Sequence, residues 1–191
     1  DTSALYPINV NAKPIANPIT GGNAVCVGST IQLNPNTTGN APFTYAWGSS
    51  DPTKATVNNS GQVTGISSGS SNIRDTVTDV NGCRATSPPH PVTVNATPVA
   101  GAITGGNAVC MGGSLSLTSN ATGTPTLSYS WSSSDTTVAK VNNSGIVTPV
   151  SAGTTNITYT VTDGNGCQAT SPNFVVTVNA LPVAGAITGG N

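Results

Sequence analysis

The feature that most constrains this 191-residue chain is that it repeats itself. Displaced by 84 residues, positions 11–94 lie over 95–178 without a gap, and 49 of the 84 are identical. Cys26 falls on Cys110, Trp47 on Trp131, Asp51 on Asp135, Gly61 on Gly145 and Cys83 on Cys167. Whatever fold the chain takes, about 84 residues must be able to take it, and take it twice. The period also runs into the flanks. "ITGGN" stands at 19–23, 103–107 and 187–191, and "SALYPINVNA" at 3–12 matches "SPPHPVTVNA" at 87–96 and "SPNFVVTVNA" at 171–180. The expected organisation is two whole repeats, 11–94 and 95–178. Residues 1–10 then read as the last strand of a preceding repeat and 179–191 as the first strand of a following one.

Within a repeat, apolar residues alternate with polar ones, the period of a strand with one buried face. Ile31 and Leu33 share a face in "TIQL"; Phe43, Tyr45 and Trp47 do so in "PFTYAW", as do Leu127, Tyr129 and Trp131 in "LSYSW". In "NITYTV", Ile157, Tyr159 and Val161 fall together. "VNNSGQV" and "VNNSGIV" place a four-residue polar turn between valines, which signals a hairpin. The pattern predicts an all-β fold, tandem immunoglobulin-like sandwiches of about seven antiparallel strands per 84-residue repeat. Tyr45, Trp47, Tyr129 and Trp131 are expected core aromatics.

Charge excludes several classes of partner. Only 6% of residues are charged, the net charge is −1, and there is no Glu, so nothing here attracts nucleic acid or an anionic bilayer. No apolar run approaches the roughly 18 residues that a spanning helix needs. Abundant Val, Ile and Thr argue against disorder.

A unit this small gains from a covalent staple. Four cysteines allow three connectivities. Cys26–Cys83 with Cys110–Cys167 keeps each repeat self-contained, closing loops worth about 4 kcal/mol in the chain-entropy model, and is the expected pairing. Cys83–Cys110, stapling neighbouring repeats, is the alternative. Either implies an oxidising, extracytoplasmic location.

The stretches "YAWGSSDPTKATVNNSGQVTGISSGSSNI" and "YSWSSSDTTVAKVNNSGIVTPVSAGTTNI" resemble the bacterial immunoglobulin-like group 2 repeat, with its Trp-x-Ser-Ser-Asp and Val-x-x-x-Gly-x-Val-Thr elements. "ITGGNAVCVGSTIQL" and "TVTDVNGC" resemble cysteine-bearing Ig-like or PKD-like repeats of large surface proteins in gliding and related bacteria. The resemblance implies export by the type IX route and a place at the cell surface, in an adhesin or filament. The partners it implies are neighbouring repeats of the same chain, other copies in a filament, and surface glycans or proteins met through regions outside this window. The cysteine pair departs from the usual group 2 pattern.

Few residues offer chemistry. His90 is the one histidine, and Phe174 occupies its place in the second repeat, so no nucleophile–base pair or carboxylate pair recurs; no enzyme, cofactor or metal is expected. "TDVNGC" and "TDGNGC" could offer calcium Asp79 with Asn81 and Asp163 with Asn165, but an Asx turn explains the same letters. Thr76 in "DTV" and Thr136 in "DTT" fit a short O-glycosylation pattern. Asp75 sits on the face of Ile73 and Val77, where the second repeat has Tyr159; a solvated strand end or a pairing with Arg74 would accommodate it. The function expected is a non-enzymatic stalk or filament segment. The alternative is a carbohydrate-binding or linker module attached to a secreted enzyme.

Overall fold

The alternation of side chains in the sequence becomes two sheets facing each other, built once in each half of the chain. The computed structural model describes residues 6–185. Contacts divide the chain into two units, Asp1–Ala96 and Thr97–Asn191.

In the first unit, β1 (Ile15–Gly21), β2 (Ala24–Cys26), β3 (Thr30–Thr38), β4 (Thr44–Ser49), β5 (Ala55–Val57), β6 (Gln62–Gly65), β7 (Gly69–Thr78), β8 (Arg84–Thr86) and β9 (His90–Asn95) follow in order. One sheet runs β1-β3-β6-β5 and the other β2-β9-β7-β4. Along one edge of β7, β9 pairs with Gly69–Ile73 and β8 with Thr76–Thr78. The buried positions of β7 are Ser71, Ile73, Asp75 and Val77, two apart, as a half-buried strand requires. Of these, Ile73 packs in one cluster with Leu33, Val63, Val92 and Val94 from neighbouring strands and the facing sheet.

The second unit repeats this order. Its strands are β10 (Thr104–Gly105), β11 (Ala108–Cys110), β12 (Leu115–Thr118), β13 (Ser128–Ser133), β14 (Ala139–Val141), β15 (Ile146–Pro149), β16 (Gly153–Thr162), β17 (Gln168–Thr170) and β18 (Phe174–Asn179). The sheets are β10-β12-β15-β14 and β11-β18-β16-β13, with β17 beside β16. Thr155, Ile157, Tyr159 and Val161 form the buried face of β16.

Three expectations need correction. Each repeat has more than the seven strands expected, because β2 and β8, like β11 and β17, are separate short pieces. The sandwich is not wholly antiparallel: β2 pairs parallel to β9, and β11 parallel to β18. The chain crosses from one sheet to the other at Gly21–Asn23 without reversing direction, which makes that pairing parallel. Last, residues 6–14 and 180–185 form no strand, and Tyr6, Ile8, Val10 and Val183 are exposed. The rest of the two proposed end strands, 1–5 and 186–191, lies outside the described residues.

The cysteines correct the expected pairing as well. Cys26 and Cys167 are disulfide-bonded, whereas Cys83 and Cys110 are free thiols. Neither Cys26–Cys83 nor Cys110–Cys167 forms, and the register gives the reason. Cys26 is level with Asn95, just beyond the Gly69–Val94 pair at the start of β7. Cys83 is tied to Asp79, just beyond the other end of the same ten-residue strand. At about 3.3 Å per residue the two stand on the order of 30 Å apart, and a disulfide needs Cα atoms within about 7 Å. In the second unit Cys110 is level with Asn179 and Cys167 is tied to Asp163, so the same separation applies.

Candidate functional site

The positions that recur with their interactions intact are turns, and their geometry shows what they do. In "Trp-x-Ser-Ser-Asp", the Ser71 hydroxyl sits buried between strands. It bonds the Ser49 hydroxyl at 2.8 Å and accepts from the Asp51 amide at 3.0 Å. Thr155 makes the same two bonds with Ser133 at 2.9 Å and Asp135 at 3.0 Å. Asp51 Oδ1 then accepts from the Thr53 amide at 3.0 Å and its hydroxyl at 2.6 Å. Asp135 accepts from Thr137 at 2.9 and 2.6 Å. The hydroxyl bond from Thr53, and likewise from Thr137, holds each carboxyl below its ordinary value of 3.8. These aspartates cap a turn. Ser71 and Thr155 were not singled out in the sequence, although their shared hydroxyl, Ser against Thr, was the available signal.

The hairpin in "VNNSG" is fastened by Asn58, whose Oδ1 accepts from the Ser60 and Gln62 amides at 3.0 Å each; Asn142 does so from Ser144 and Ile146 at 3.0 Å each. Its last residue must be glycine. Gly61 and Gly145 have φ of 80° and 76°. A Cβ at Gly61 would also lie 2.8 Å from the Trp47 ring, and one at Gly145 3.1 Å from that of Trp131. The tryptophans thus turn onto the hairpin. Trp47, Tyr129 and Trp131 are half-buried and pack against the core clusters, while Tyr45 is half-buried outside its cluster. They line the core rather than fill it. The aromatic that fills it is Tyr159, fully buried, 5.2 Å by ring centroids from Trp131 and 5.9 Å from Tyr129.

Asp79 and Asp163 are buried, and Oδ1 of each accepts two amides at 2.9 Å, from Asn81 and Cys83 and from Asn165 and Cys167 respectively. That is the Asx turn. Among the described residues no group of three or more His, Cys, Asp or Glu side chains converges as a metal would need. Asp75 is neither solvated nor paired with Arg74. It is 1% exposed in mid-strand opposite Trp47, and neither carboxylate oxygen has a hydrogen-bond partner. Arg74 points to the other face of β7 and donates to the Ser87 carbonyl at 3.1 Å.

The two glycosylation candidates part company. Thr136 is exposed in the turn after Asp135, whereas Thr76 is half-buried in mid-β7 with its hydroxyl bonded to that of Thr86 at 3.1 Å. An open groove of about 410 Å³ lies over the outer face of this sheet, lined by Ala46, Gly48, Asn72, Arg74, Thr76 and Thr86. The second repeat has Ser132 in place of Gly48 and Thr158 in place of Arg74. His90 faces away from all of this, its ring nitrogen 3.1 Å from the Gly22 carbonyl.

Two facing sheets with this strand order, built twice along one chain, define tandem immunoglobulin-like repeats. The chain belongs to the family of the bacterial Ig-like domain (group 2), which matches residues 19–86 and 106–171. No curated protein matches the sequence significantly. Among solved structures, domains 4 and 5 of the S-layer protein SbsC are similar at 20% identity, covering 90% of this chain and 98% of that one, with a TM-score of 0.34. A C-terminal fragment of intimin, solved with the intimin-binding domain of its translocated receptor, is similar at 19% identity over 86% of this chain and 64% of that one, with a TM-score of 0.42. The fibronectin(III)-like modules of Clostridium thermocellum CbhA are similar at 13% identity over 90% and 100%, with a TM-score of 0.41.

Proposed function

We propose that the chain is a non-enzymatic structural segment of a large extracellular bacterial surface protein, in which 84-residue Ig-like repeats follow one another as a semi-rigid stalk or filament. Residues 11–94 and 95–178 are two whole repeats of that array, and the flanks 1–10 and 179–191 belong to the repeats on either side.

One observation carries the reading. What recurs between the repeats is framework: the Trp–Gly hairpin contact, the hydroxyl-capped aspartate turn and the Asx turn. The histidine, the groove arginine and the buried mid-strand carboxyl do not recur: His90 stands against Phe174, Arg74 against Thr158, Asp75 against Tyr159. A neutral surface of Ser, Thr and Asn stays hydrated without repelling like neighbours. The joint between repeats is short. β9 ends at Asn95 and Pro98 is already buried in the second unit, which leaves Ala96 and Thr97 between them. The carbohydrate-binding alternative needs aromatic faces turned to solvent, and Trp47 and Trp131 turn onto their hairpins instead.

Small-angle X-ray scattering on the 191-residue chain tests the stalk. An extended pair of repeats has a maximum dimension of about 80 Å, from strands of some ten residues laid end to end with their loops. A compact particle, with the repeats folded side by side, overturns it.

A further inference from the structure

A sheet edge is a row of unpaired main-chain groups, and a fold that keeps to itself blunts it with brevity, charge, proline or a bulge. Most edges of the two sandwiches carry such a device. β2, β5 and β8 have three residues each, Lys54 stands just before β5, and Arg84 opens β8. β1 is longer but holds Pro18 and a break in register between Asn17 and Thr20. In the second unit β10 has two residues, and β11, β14 and β17 have three each, with Lys140 in β14. β4 and β13 are the exception. Each is an edge of its sheet, six residues long, without charge or proline, and pairs with β7 or β16 along its whole length without a shift. Ser50 donates its amide to the Asn72 carbonyl at 3.0 Å, and Ser134 to that of Asn156 at 2.9 Å. Antiparallel ladders alternate, so Ala46 and Gly48 turn their main chain inward with Ser50, while Tyr45, Trp47 and Ser49 turn theirs to the free edge. Tyr129, Trp131 and Ser133 do the same in the second unit. No described strand pairs with either edge on that side.

We propose that β4 and β13 are lateral docking edges, each taking the same strand of a second copy of this chain, antiparallel across a two-fold axis through Trp47 or Trp131. The strand fits itself. Centred there, Tyr45 pairs with Ser49 of the second copy and Trp47 with its own counterpart, which gives about six main-chain hydrogen bonds. On the outer face Ala46 then meets Gly48 of the second copy, and Ser130 meets Ser132, about 5 Å apart. These side chains are small and neutral, and a Cβ built on Gly48 touches nothing within 4 Å, so the outer face is open there. On the inner face the Trp47 and Trp131 rings turn back onto Gly61 and Gly145 of their own hairpins. A net charge of −1 sets up no strong repulsion between copies. A second copy is favoured over another strand donor because the edge is complementary to itself. It also recurs with its alternation in both units, whereas the groove beside it, with Arg74, does not. The proposal rests on the stalk reading, since one edge of this length binds weakly and a row of repeats multiplies it.

Sedimentation and amide hydrogen exchange of the 191-residue chain, followed with concentration, test this. The expected result is a reversible rise in mass. Exchange at Tyr45, Trp47, Ser49, Tyr129, Trp131 and Ser133 should slow about fivefold from about 10 µM to about 1 mM protein, with the inward amides between them changing less. Ala46→Lys, Gly48→Lys, Ser130→Lys and Ser132→Lys together set like charges opposite one another across each axis. All four sites are exposed, so this variant should fold as the parent does and stay monomeric. The same positions changed to Glu should give a second monomer, and an equimolar mixture of the two variants should associate again. A parent chain that stays monomeric with those six amides unchanged overturns the proposal. So does association that survives the four lysines, and so does protection that appears at other edges instead. If the lysine variant does not fold, the alternation of protection in the parent decides alone. Small-angle scattering on the lysine variant reads the single chain. An extended particle there, with no association of the parent, removes the edge pairing and leaves the stalk. A compact particle with the edge amides of the parent protected removes the stalk and keeps the edge.

Discussion

The two repeats share a frame and differ in what fills it. In the second, Tyr159 sits at the middle of β16 with its ring against Tyr129 and Trp131, and its hydroxyl donates to the Gly101 carbonyl across the sandwich at 2.7 Å. Burial raises the pKa of that hydroxyl above its ordinary 10.0. One contiguous core runs from Ile103 through Tyr159 to Val161 and Val178. In the first repeat Asp75 takes the Tyr159 position, and Asn17 and Thr37 take those of Gly101 and Ala121. The Asp75 oxygens and the Thr37 hydroxyl are buried without hydrogen-bond partners. Val77, although fully buried, falls outside the contiguous cluster, as Tyr45 does. One exchange at mid-strand thus divides the core. The frame tolerates it because its turns are closed by hydroxyls, Asx caps and glycines that do not depend on what lies between the sheets.

The first repeat has the longer edge pairing. β1 and β3 pair from Ile15–Thr38 to Gly21–Leu33, with an irregularity around Pro18. In the second repeat the corresponding pairing survives only at Val99–Thr122 and at Thr104–Thr118 with Gly105–Leu117. There Gly101 and Ala102 replace Asn17 and Pro18, and the Asn120 side chain donates to the Ala102 carbonyl at 3.0 Å in place of part of the ladder.

Substitutions can break or sharpen this contrast. The largest effect is expected from Tyr159→Asp, which gives the second repeat the first repeat's interior without its other polar residues. The loss of a buried aromatic and the burial of an unpaired carboxylate should cost about 4 kcal/mol or more, read as faster hydrogen exchange along β16 while β7 is unchanged. Next come the framework glycines. Gly61→Ala and Gly145→Ala each place a Cβ at positive φ against a tryptophan ring and a leucine carbonyl. Each should cost about 2–3 kcal/mol in its own repeat. Equal losses in chemical denaturation would show a shared frame, and unequal ones would count against it.

Asp75→Val removes a buried carboxylate that has no partner and should stabilise the first repeat by about 1–3 kcal/mol, as a later urea transition for that repeat alone. The smallest effect is that of pH. The carboxyls of Asp51 and Asp135 titrate lower when folded than the 3.8 of the free group. Their contribution is therefore complete above that value and fades as pH falls through it toward the folded pKa. Asp51→Asn and Asp135→Asn should abolish the acid shift of the Thr53 and Thr137 amide resonances alike.

Much of this was legible in the sequence. The period, the face of each long strand and the "NNSG" hairpin are local patterns, and local patterns survive into the fold. The cysteine pairing was not legible. Cys26 and Cys83 lie near the two ends of a repeat in sequence, and separation along the chain does not say which pole of a sandwich a residue reaches. That depends on the direction in which β7 runs between them. The parallel β2–β9 pair was hidden for a related reason, since three residues carry no signal of the strand they join. Asp75 stood out, but its environment is set by residues from other strands. Only the exchange of Asn17 and Thr37 for Gly101 and Ala121 hinted at a polar interior.

The central claim, one frame holding two unlike cores, is tested most directly by native-state hydrogen exchange on the intact 191-residue chain. The expected result is the same pattern of protected strands in both repeats, with the amides of Ile157–Val161 opening less readily than those of Ile73–Val77 by on the order of 2 kcal/mol. Equal or reversed protection of the two segments, or protection confined to one repeat, would contradict it.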